Sequence, residues 1–449
     1  MNDTIVAIST ALGVGAISII RLSGNNAIEI ANSMFKGKDL SKVDSHTINY
    51  GHIIDGDNSI DEVLVSVMKA PKTFTCEDVV EINCHGGIAT TNKILELALL
   101  KGARLAEPGE FTKRAFLNGR IDLIEAEAVM DVINAKTEQS RKLSINQLDG
   151  SISIIIRNFR QKLLELLANI EVNIDYPEYE DIEVMTNKNI ENEIENIKNS
   201  LKTIIDESEN GKVIRNGIKV AIVGRPNVGK SSILNRILNE NKAIVTDIEG
   251  TTRDIVEGQA SIDGVLFNFV DTAGIREAKD IVEQIGIERS RNEINNSDLV
   301  LFVLNNNDVL NKEDKDLISS LPEQSLIVIN KNDLDNKLNV TDLNKDYVYI
   351  NTIDVDGIEP LKNKIKEIFN LEKIKNGDCT YLSNARQISL AKEAYAITKD
   401  VEEGIKNSVP TDLIEIDIKR IWEKLGEMLG ETYSDELINQ LFSQFCLGK

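Results

Sequence analysis

The segment that decides the fold of the central part of the chain is Gly224-Arg225-Pro226-Asn227-Val228-Gly229-Lys230-Ser231. It has the form G-x-x-x-x-G-K-[ST], follows the apolar run Val220–Val223 and precedes a helical pattern of apolar residues. A strand, a glycine-rich loop and a helix in this order form a phosphate-binding loop, in which backbone amides and the helix N-terminus face the phosphates. We expect Lys230 to reach the β- and γ-phosphates and Ser231 to hold Mg²⁺.

Three further motifs follow this loop in the order found in GTPases. Asp271-Thr272-Ala273-Gly274 ends an apolar run, so Asp271 is expected near Mg²⁺ and Gly274 near the γ-phosphate. Gly250-Thr251-Thr252-Arg253-Asp254 lies between, with Thr252 as the candidate second Mg²⁺ ligand. Asn330-Lys331-Asn332-Asp333 follows the run Leu326–Ile329.

Asp333 predicts guanine rather than adenine as the base. A carboxylate accepts hydrogen bonds from the N1–H and the 2-amino group of guanine, whereas adenine would leave it unpaired, which is costly. The Ser-Ala dipeptide that usually completes the base site is replaced by Asn351-Thr352. The purine contact on that side is therefore left open.

The hydrolytic step lacks its usual side chains. The residue after Gly274 is Ile275, where many small GTPases have a glutamine that orients water. Glu283 is our candidate for that role, with Arg276 and Glu277 as nearer alternatives; as a single residue Glu283 could also be an exposed helix position. A monovalent cation held by the Asn227 side chain and by carbonyl groups of residues 246–251 could take the place of an arginine finger.

Composition limits the other possibilities. The 449 residues carry a net charge of −22, which argues against a general nucleic-acid-coating protein and against DNA as a partner. No apolar run is long enough to span a membrane. Four scattered cysteines suit a reducing, cytoplasmic location, and the three histidines all precede residue 86.

Patterning predicts a multidomain α+β and α/β fold. Short β-branched runs with one helix predict an α+β domain over residues 1–118. Helical patterns follow over 119–215, apolar strands alternate with helices over 216–376, and helices return over 377–449. The simplest arrangement is a P-loop GTPase α/β domain, with a parallel sheet, inserted into an all-α domain.

Outside the GTPase motifs, several segments carry a family resemblance along nearly the whole chain. They include Asp3-Thr4-Ile5-Val6-Ala7, Glu77-Asp78-Val79-Val80-Glu81 with His85-Gly86-Gly87, Pro108-Gly109-Glu110-Phe111-Thr112, and the terminal Phe445-Cys446-Leu447-Gly448-Lys449. With these segments the chain resembles the tRNA-modification GTPase MnmE (TrmE) family.

The resemblance implies a specific activity and set of partners. It implies an N-terminal folate-binding domain that forms a homodimer, and a potassium-stimulated GTPase. It further implies that the protein acts with the flavoprotein MnmG on the wobble uridine of certain tRNAs, where an aminomethyl-type (carboxymethylaminomethyl) group is added. The one-carbon donor would be a tetrahydrofolate derivative.

The same resemblance implies roles for particular residues. K⁺ would be held by Asn227, Thr246, Ile248 and Thr251, Mg²⁺ by Ser231 and Thr252, and water by Glu283. Folate would contact Arg21, Glu81, Arg120 and Lys449; Arg120 stands where the family often has lysine. The nucleotide site as a whole would comprise Asn227, Val228, Gly229, Lys230, Ser231, Ser232, Thr246, Asp247, Ile248, Glu249, Gly250, Thr251, Thr252, Asp271, Thr272, Ala273, Gly274, Asn330, Lys331 and Asp333.

Some alternatives stay open at the level of sequence. Cys446 is either a catalytic nucleophile or a structural residue of the folate pocket. Against the catalytic role, no histidine lies near it in sequence to activate the thiol. The motifs alone also suit a ribosome-assembly GTPase or a non-catalytic scaffold switched by nucleotide. Tetrahydrofolate binding to residues 1–120 would separate a tRNA-modification GTPase from these two alternatives.

Overall fold

The protein is described from a computed structural model, which covers residues 3–175, 187–240, 258–271, 294–372, 382 and 384–448. The chain divides into two compact units. Unit 1 comprises Met1–Met130, Gln147–Ile197 and Glu393–Lys449, and unit 2 comprises Asp131–Asn146 and Lys198–Lys392. Each unit contains helices and a β-sheet, which confirms the coarse prediction of a multidomain fold with both helices and sheets. The finer domain boundaries stay predictions.

Unit 1 contains a seven-stranded sheet. Its strands are β1 (Ile5–Ile8), β2 (Ile17–Ser23), β3 (Phe35–Lys36), β4 (Thr47–Asp55), β5 (Asn58–Met68), β6 (Val79–His85) and β7 (Arg104–Leu105). The order is β3-β4-β5-β6-β2-β1-β7, and all pairs are antiparallel except β1 with β7. Strands β1 and β2 follow each other in sequence and pair antiparallel, with Ile5 opposite Ser23 and Ile8 opposite Ile20.

Helices accompany this sheet within unit 1. They include α1 (Ala27–Ser33), α2 (Ile88–Leu100), α3 (Glu110–Leu117), most of α4 (Leu123–Asn134), α6 (Ser151–Asp175), most of α11 (Ala385–Lys406), α12 (Thr411–Leu429) and α13 (Asp435–Phe442). Helix α6 packs on α12 through Arg160, whose guanidinium lies 4.0 Å from the centre of the Trp422 ring and also pairs with Glu431. Apolar residues repeat along α6 with helical spacing, as the sequence predicts.

Arg114 is the centre of a buried ionic cluster in unit 1. Only 1% of its side chain is exposed, yet its guanidinium nitrogens lie 2.8 Å from Asp3, 3.0 Å from Glu77 and 3.1 Å from Glu110. Arg104 adds ion pairs to Asp3 and Glu110. Burial raises the pKa of Glu110, but the hydrogen bonds from Arg104, the Glu107 amide and Arg114 outweigh it, so the net pKa lies below its ordinary value.

Unit 2 contains a six-stranded sheet. Its strands are β8 (Ile218–Gly224), β9 (Gly258–Ile262), β10 (Val265–Asp271), β11 (Leu299–Asn305), β12 (Ser325–Asn330) and β13 (Tyr347–Tyr349). The order is β13-β12-β11-β8-β10-β9. The predicted parallel pairing is found for β8, β10, β11, β12 and β13, whereas the additional edge strand β9 pairs with β10 antiparallel. Asp263 and Gly264 both have positive φ, which makes the two-residue turn that closes a hairpin.

Helices of unit 2 cover both faces of this sheet, as continuous apolar strands require. They are α8 (Lys230–Glu240), α9 (Lys312–Ser320) and α10 (Glu359–Ile368), with parts of α5 (Glu138–Leu148) and α7 (Asn187–Asn216). Along β11, Leu301 and Val303 belong to one apolar core and Phe302 and Leu304 to the other. Within the described ranges, no helix is long and apolar enough to cross a membrane.

The cluster around Arg114 gives a stability prediction. Arg114→Met leaves three carboxylates without their buried cation, so we expect the free energy of unfolding to fall by about 3–5 kcal/mol. Urea unfolding followed by circular dichroism measures this. Lys42→Met removes the cation of the exposed Asp39 pair and serves as the control, with no shift expected. Equal urea midpoints for the two variants would contradict the assignment.

Candidate nucleotide site

The phosphate loop lies where the sequence predicts it, between the end of β8 and the start of α8. Gly224, Asn227 and Gly229 all have positive φ, a region that glycine adopts without strain. A Cβ added to Gly224 would lie 2.5 Å from the carbonyl oxygen of Val303 on β11. The first glycine of the motif is thus required by the close approach of loop and strand.

Side chains of the site bind the carbonyl oxygens of this loop. Lys230 Nζ donates to the carbonyls of Gly224 (2.9 Å) and Arg225 (2.7 Å). Lys331 Nζ donates to the Asn227 carbonyl at 3.1 Å, and Asn330 Nδ2 donates to the Val228 carbonyl at 2.9 Å. In a trans peptide the N–H points away from the preceding C=O. The amides of Val228 and Gly229 therefore face the side opposite to the Lys331 and Asn330 donors, as an anion site requires.

The predicted guanine motif is built on the carboxyl end of β12. Asn330 is 1% exposed, and its buried Oδ1 atom has no hydrogen-bond partner among the residues that the structure describes. Lys331 has a positive φ of 61°, and Asp333 is exposed. In the position of the missing Ser-Ala dipeptide, the Asn351 side chain accepts from the Ile353 amide at 2.8 Å and donates to Asp354. The Asn351 side chain therefore stabilises its own turn, and it lacks the hydroxyl that a serine at this position would offer to the base.

The structure describes only part of the predicted nucleotide site. It brings together the residues of the phosphate loop and of the guanine motif, and places Ser231 and Ser232 in the first turn of α8. Asp271 ends β10, in register with Ile222 of β8. Outside the described residues lie Thr246, Asp247, Ile248, Glu249, Gly250, Thr251, Thr252, Thr272, Ala273, Gly274 and Glu283.

A second predicted site, in unit 1, joins the sheet to the end of the chain. Arg21 Nε donates to Glu81 at 2.8 Å, and Arg21 also donates to the Gly448 carbonyl at 3.2 Å. The Cys446 carbonyl accepts from the Gly109 amide at 3.2 Å, and Cys446 itself is exposed. The structure thus brings Arg21, Glu81 and the Cys446 segment together, while Lys449 lies outside the described residues.

Arg120 belongs to the same region through an apolar cluster. Its guanidinium lies 4.9 Å from the centre of the Phe74 ring, and that of Arg21 lies 5.7 Å from the Phe111 ring. Phe74 and Phe111 pack in one cluster with Ile5. Phe111 is fully buried, so the two guanidinium groups border one apolar cluster of unit 1.

Comparison with known proteins identifies the family. Residues 4–120 match the family profile described as "GTP-binding protein TrmE N-terminus", and residues 123–446 match "MnmE helical domain". The chain belongs to the MnmE (TrmE) family. This confirms the predicted family and the predicted class of enzyme, a GTP hydrolase involved in tRNA modification.

Curated relatives of the MnmE family align over the full chain. Proteins named "tRNA modification GTPase MnmE" from Lactococcus lactis subsp. cremoris and Bacillus cytotoxicus are each 53% identical and cover 100% of this chain, with 98% and 99% of their own length covered. The one from Staphylococcus aureus is 52% identical, with coverage of 100% and 99%. The crystal structure of the G domain of FeoB from T. maritima aligns with 33% of this chain and with 97% of its own length, at 24% identity and a TM-score of 0.25.

Sequence reasoning missed one contact of the phosphate loop in this MnmE-family chain. Arg225 fills an unspecified position of the motif, yet its side chain pairs with the buried Asp314 of α9. A cation inside the loop and the pattern Asn311-x-x-Asp314, which is typical of a helix start, were the available signals. Nothing in the spacing indicates that the two residues meet.

Gly229 gives a prediction for nucleotide binding. A Cβ at this position would overlap Asn330 Nδ2, and the φ of +98° disfavours any side chain. Gly229→Ala should therefore displace Asn330 from the Val228 carbonyl and weaken GDP binding at least about tenfold, since about 1.4 kcal/mol suffices for that change. Equilibrium titration with a fluorescent GDP measures this. Gly56→Ala, at φ +60° with no atom within 4 Å, is the matched control for backbone strain alone and should bind GDP like the parent.

Proposed function

We propose that this MnmE-family chain is a potassium-stimulated GTP hydrolase that modifies the wobble uridine of certain tRNAs. With the flavoprotein MnmG it would add an aminomethyl-type, carboxymethylaminomethyl group, drawing the carbon from a tetrahydrofolate derivative. The observation that carries the proposal is the pairing of Asn330 and Lys331 with the carbonyls of the phosphate loop, because it joins a guanine motif to a phosphate site.

Within the phosphate loop the chain's own residues bind and orient the nucleotide. Lys230 is held by two loop carbonyls, so its ammonium group is directed before phosphate arrives. Ser231, at the first turn of α8, supplies a hydroxyl that with Thr252 would hold Mg²⁺. Bound Mg²⁺ would neutralise charge that develops on the phosphate oxygens. In this scheme Glu283 orients the attacking water.

Potassium fits the chemistry of the loop at Asn227. The residue is exposed and has a φ of 62°, so its side-chain oxygen is accessible beside the phosphate site. In our proposal Thr246, Ile248 and Thr251 contribute further oxygens. A weakly hydrated cation held by such oxygens would take the place of an arginine finger.

The folate proposal rests on the site in unit 1. A carboxylate can accept about four hydrogen bonds, so pairing with Arg21 alone does not exhaust Glu81, and its remaining acceptors suit the donor edge of a pterin. Arg120 and Lys449 would bind the anionic glutamate tail. Cys446 would line this pocket or react there. Residues 1–118 would form the dimer, and the G domain over 216–376 would be inserted between helical segments 119–215 and 377–449.

The function is tested by analysing tRNA nucleosides from cells in which the gene is deleted. We expect the wobble modification to disappear, to return with the wild-type chain, and not to return with Lys230→Ala, because GTP hydrolysis is required. Deletion of the gene with unaltered wobble uridines would contradict the proposed function. Expression of each variant is checked by immunoblot, so that loss of protein is separated from loss of activity.

The role of potassium is tested by steady-state GTP turnover. At equal ionic strength we expect turnover to be at least about tenfold faster in potassium than in sodium, as for a transition-state interaction of about 1.4 kcal/mol. Asn227→Ala should remove most of this difference. Equal rates in the two salts, with active protein, would show that no potassium ion takes part.

A further inference from the structure

Arg225 joins the phosphate loop to the start of α9. Its Nε atom donates to Asp314 Oδ1 at 2.8 Å, and a terminal guanidinium nitrogen contacts Asp314 Oδ2. The same nitrogen lies 3.4 Å from the Val309 carbonyl. Two parallel bonds between a guanidinium and a carboxylate fix orientation as well as distance. The side chain of this loop residue is therefore held in one direction.

Asp314 is a rigid anchor for that side chain. It is fully buried, at 0% exposure, and belongs to the capping box that starts α9. Asn311 Oδ1 accepts from the Asp314 amide at 2.8 Å, and the Asn311 amide donates to Asp314 Oδ2 at 3.0 Å. A buried carboxylate that already serves a helix cap cannot follow a moving loop without losing hydrogen bonds. Movement of Arg225 is restricted accordingly.

The main chain of Arg225 acts on the phosphate-binding lysine. Its carbonyl oxygen accepts from Lys230 Nζ at 2.7 Å, a shorter hydrogen bond than the one from this ammonium group to the Gly224 carbonyl at 2.9 Å. Pro226 follows and restricts the backbone of the residue before it to extended geometry. The carbonyl is thus directed by the proline on one side and by the side-chain anchor on the other.

We propose that Arg225 is a positioning residue for nucleotide binding. Anchored on Asp314, it holds the carbonyl that orients Lys230 toward the β- and γ-phosphates. The inference rests on the proposed GTPase function. Asp314 acts on the nucleotide only through Arg225, so changing it tests the coupling and not a direct contact.

The decisive variant is Asp314→Asn, which removes the charged acceptor while leaving the phosphate loop unchanged. Asp316→Asn, at an exposed position of the same helix, is the matched control. Stopped-flow dissociation of a fluorescent GDP and steady-state GTP turnover are measured well below the melting temperature of each protein. We expect Asp314→Asn to release GDP about tenfold faster and to lose about tenfold in kcat/KM, the size expected for the loss of a charge-assisted hydrogen bond. Asp316→Asn should match the wild type.

Two further variants keep the test independent of folding. Arg225→Lys retains the charge but not the two parallel bonds, and we expect an intermediate dissociation rate. The double variant Arg225→Gln with Asp314→Asn leaves no unpaired buried charge. Because both substitutions remove the same contact, it should release GDP no faster than the faster-releasing single variant.

The outcomes separate the inference from the proposed function. A melting temperature lowered by Asp314→Asn, with GDP dissociation and kcat/KM like the wild type, would show that the pair only stabilises the fold. If Asp314→Asn does not fold, the same rates are compared for Arg225→Lys, and wild-type values there would also overturn the inference. Wild-type protein that neither binds GDP nor hydrolyses GTP would instead contradict the proposed function itself.

Discussion

The orientation of a few peptide planes is the constraint on which the nucleotide site depends. Lys331 and Asn330 bind the carbonyl oxygens of Asn227 and Val228, so the amides of Val228 and Gly229 must face the other way. On that side the amides and the start of α8 supply partial positive charge, in addition to the Lys230 ammonium group that we expect at the β- and γ-phosphates. An overall charge of −22 and an anion site are therefore compatible.

The sheet of unit 2 places these donors correctly. β8 lies between β10 and β11, so the strand order reverses at its carboxyl end, where ligands of open α/β sheets bind. The guanine motif leaves β12 two strands away and reaches the same edge. Unit 1 uses another device, the buried Arg114 cluster, to hold the start of the chain against α3. Each unit thus brings residues that are distant in sequence to one place.

Local patterns made most of this predictable, and contacts between distant segments were the part that was not. The motif Gly224–Ser231 predicts the strand before it and the helix after it, and the apolar runs of β11 and β12 are long enough to predict strands. The antiparallel edge strand β9 was missed because its five residues, Gly258–Ile262, do not form a continuous apolar run. The pairing of Arg225 with Asp314 joins residues that only the folded sheet brings together. The roles of Thr246, Thr252 and Glu283 stay predictions.

Titration of the purified chain with MgGDP and, separately, with MgADP tests the central claim most directly. The geometry predicts saturable binding of one GDP per chain and no detectable binding of ADP under the same conditions, since Asp333 is expected to pair with the donor edge of guanine. Failure to bind GDP, or equal affinity for both nucleotides, would contradict the assignment of a guanine nucleotide to this loop.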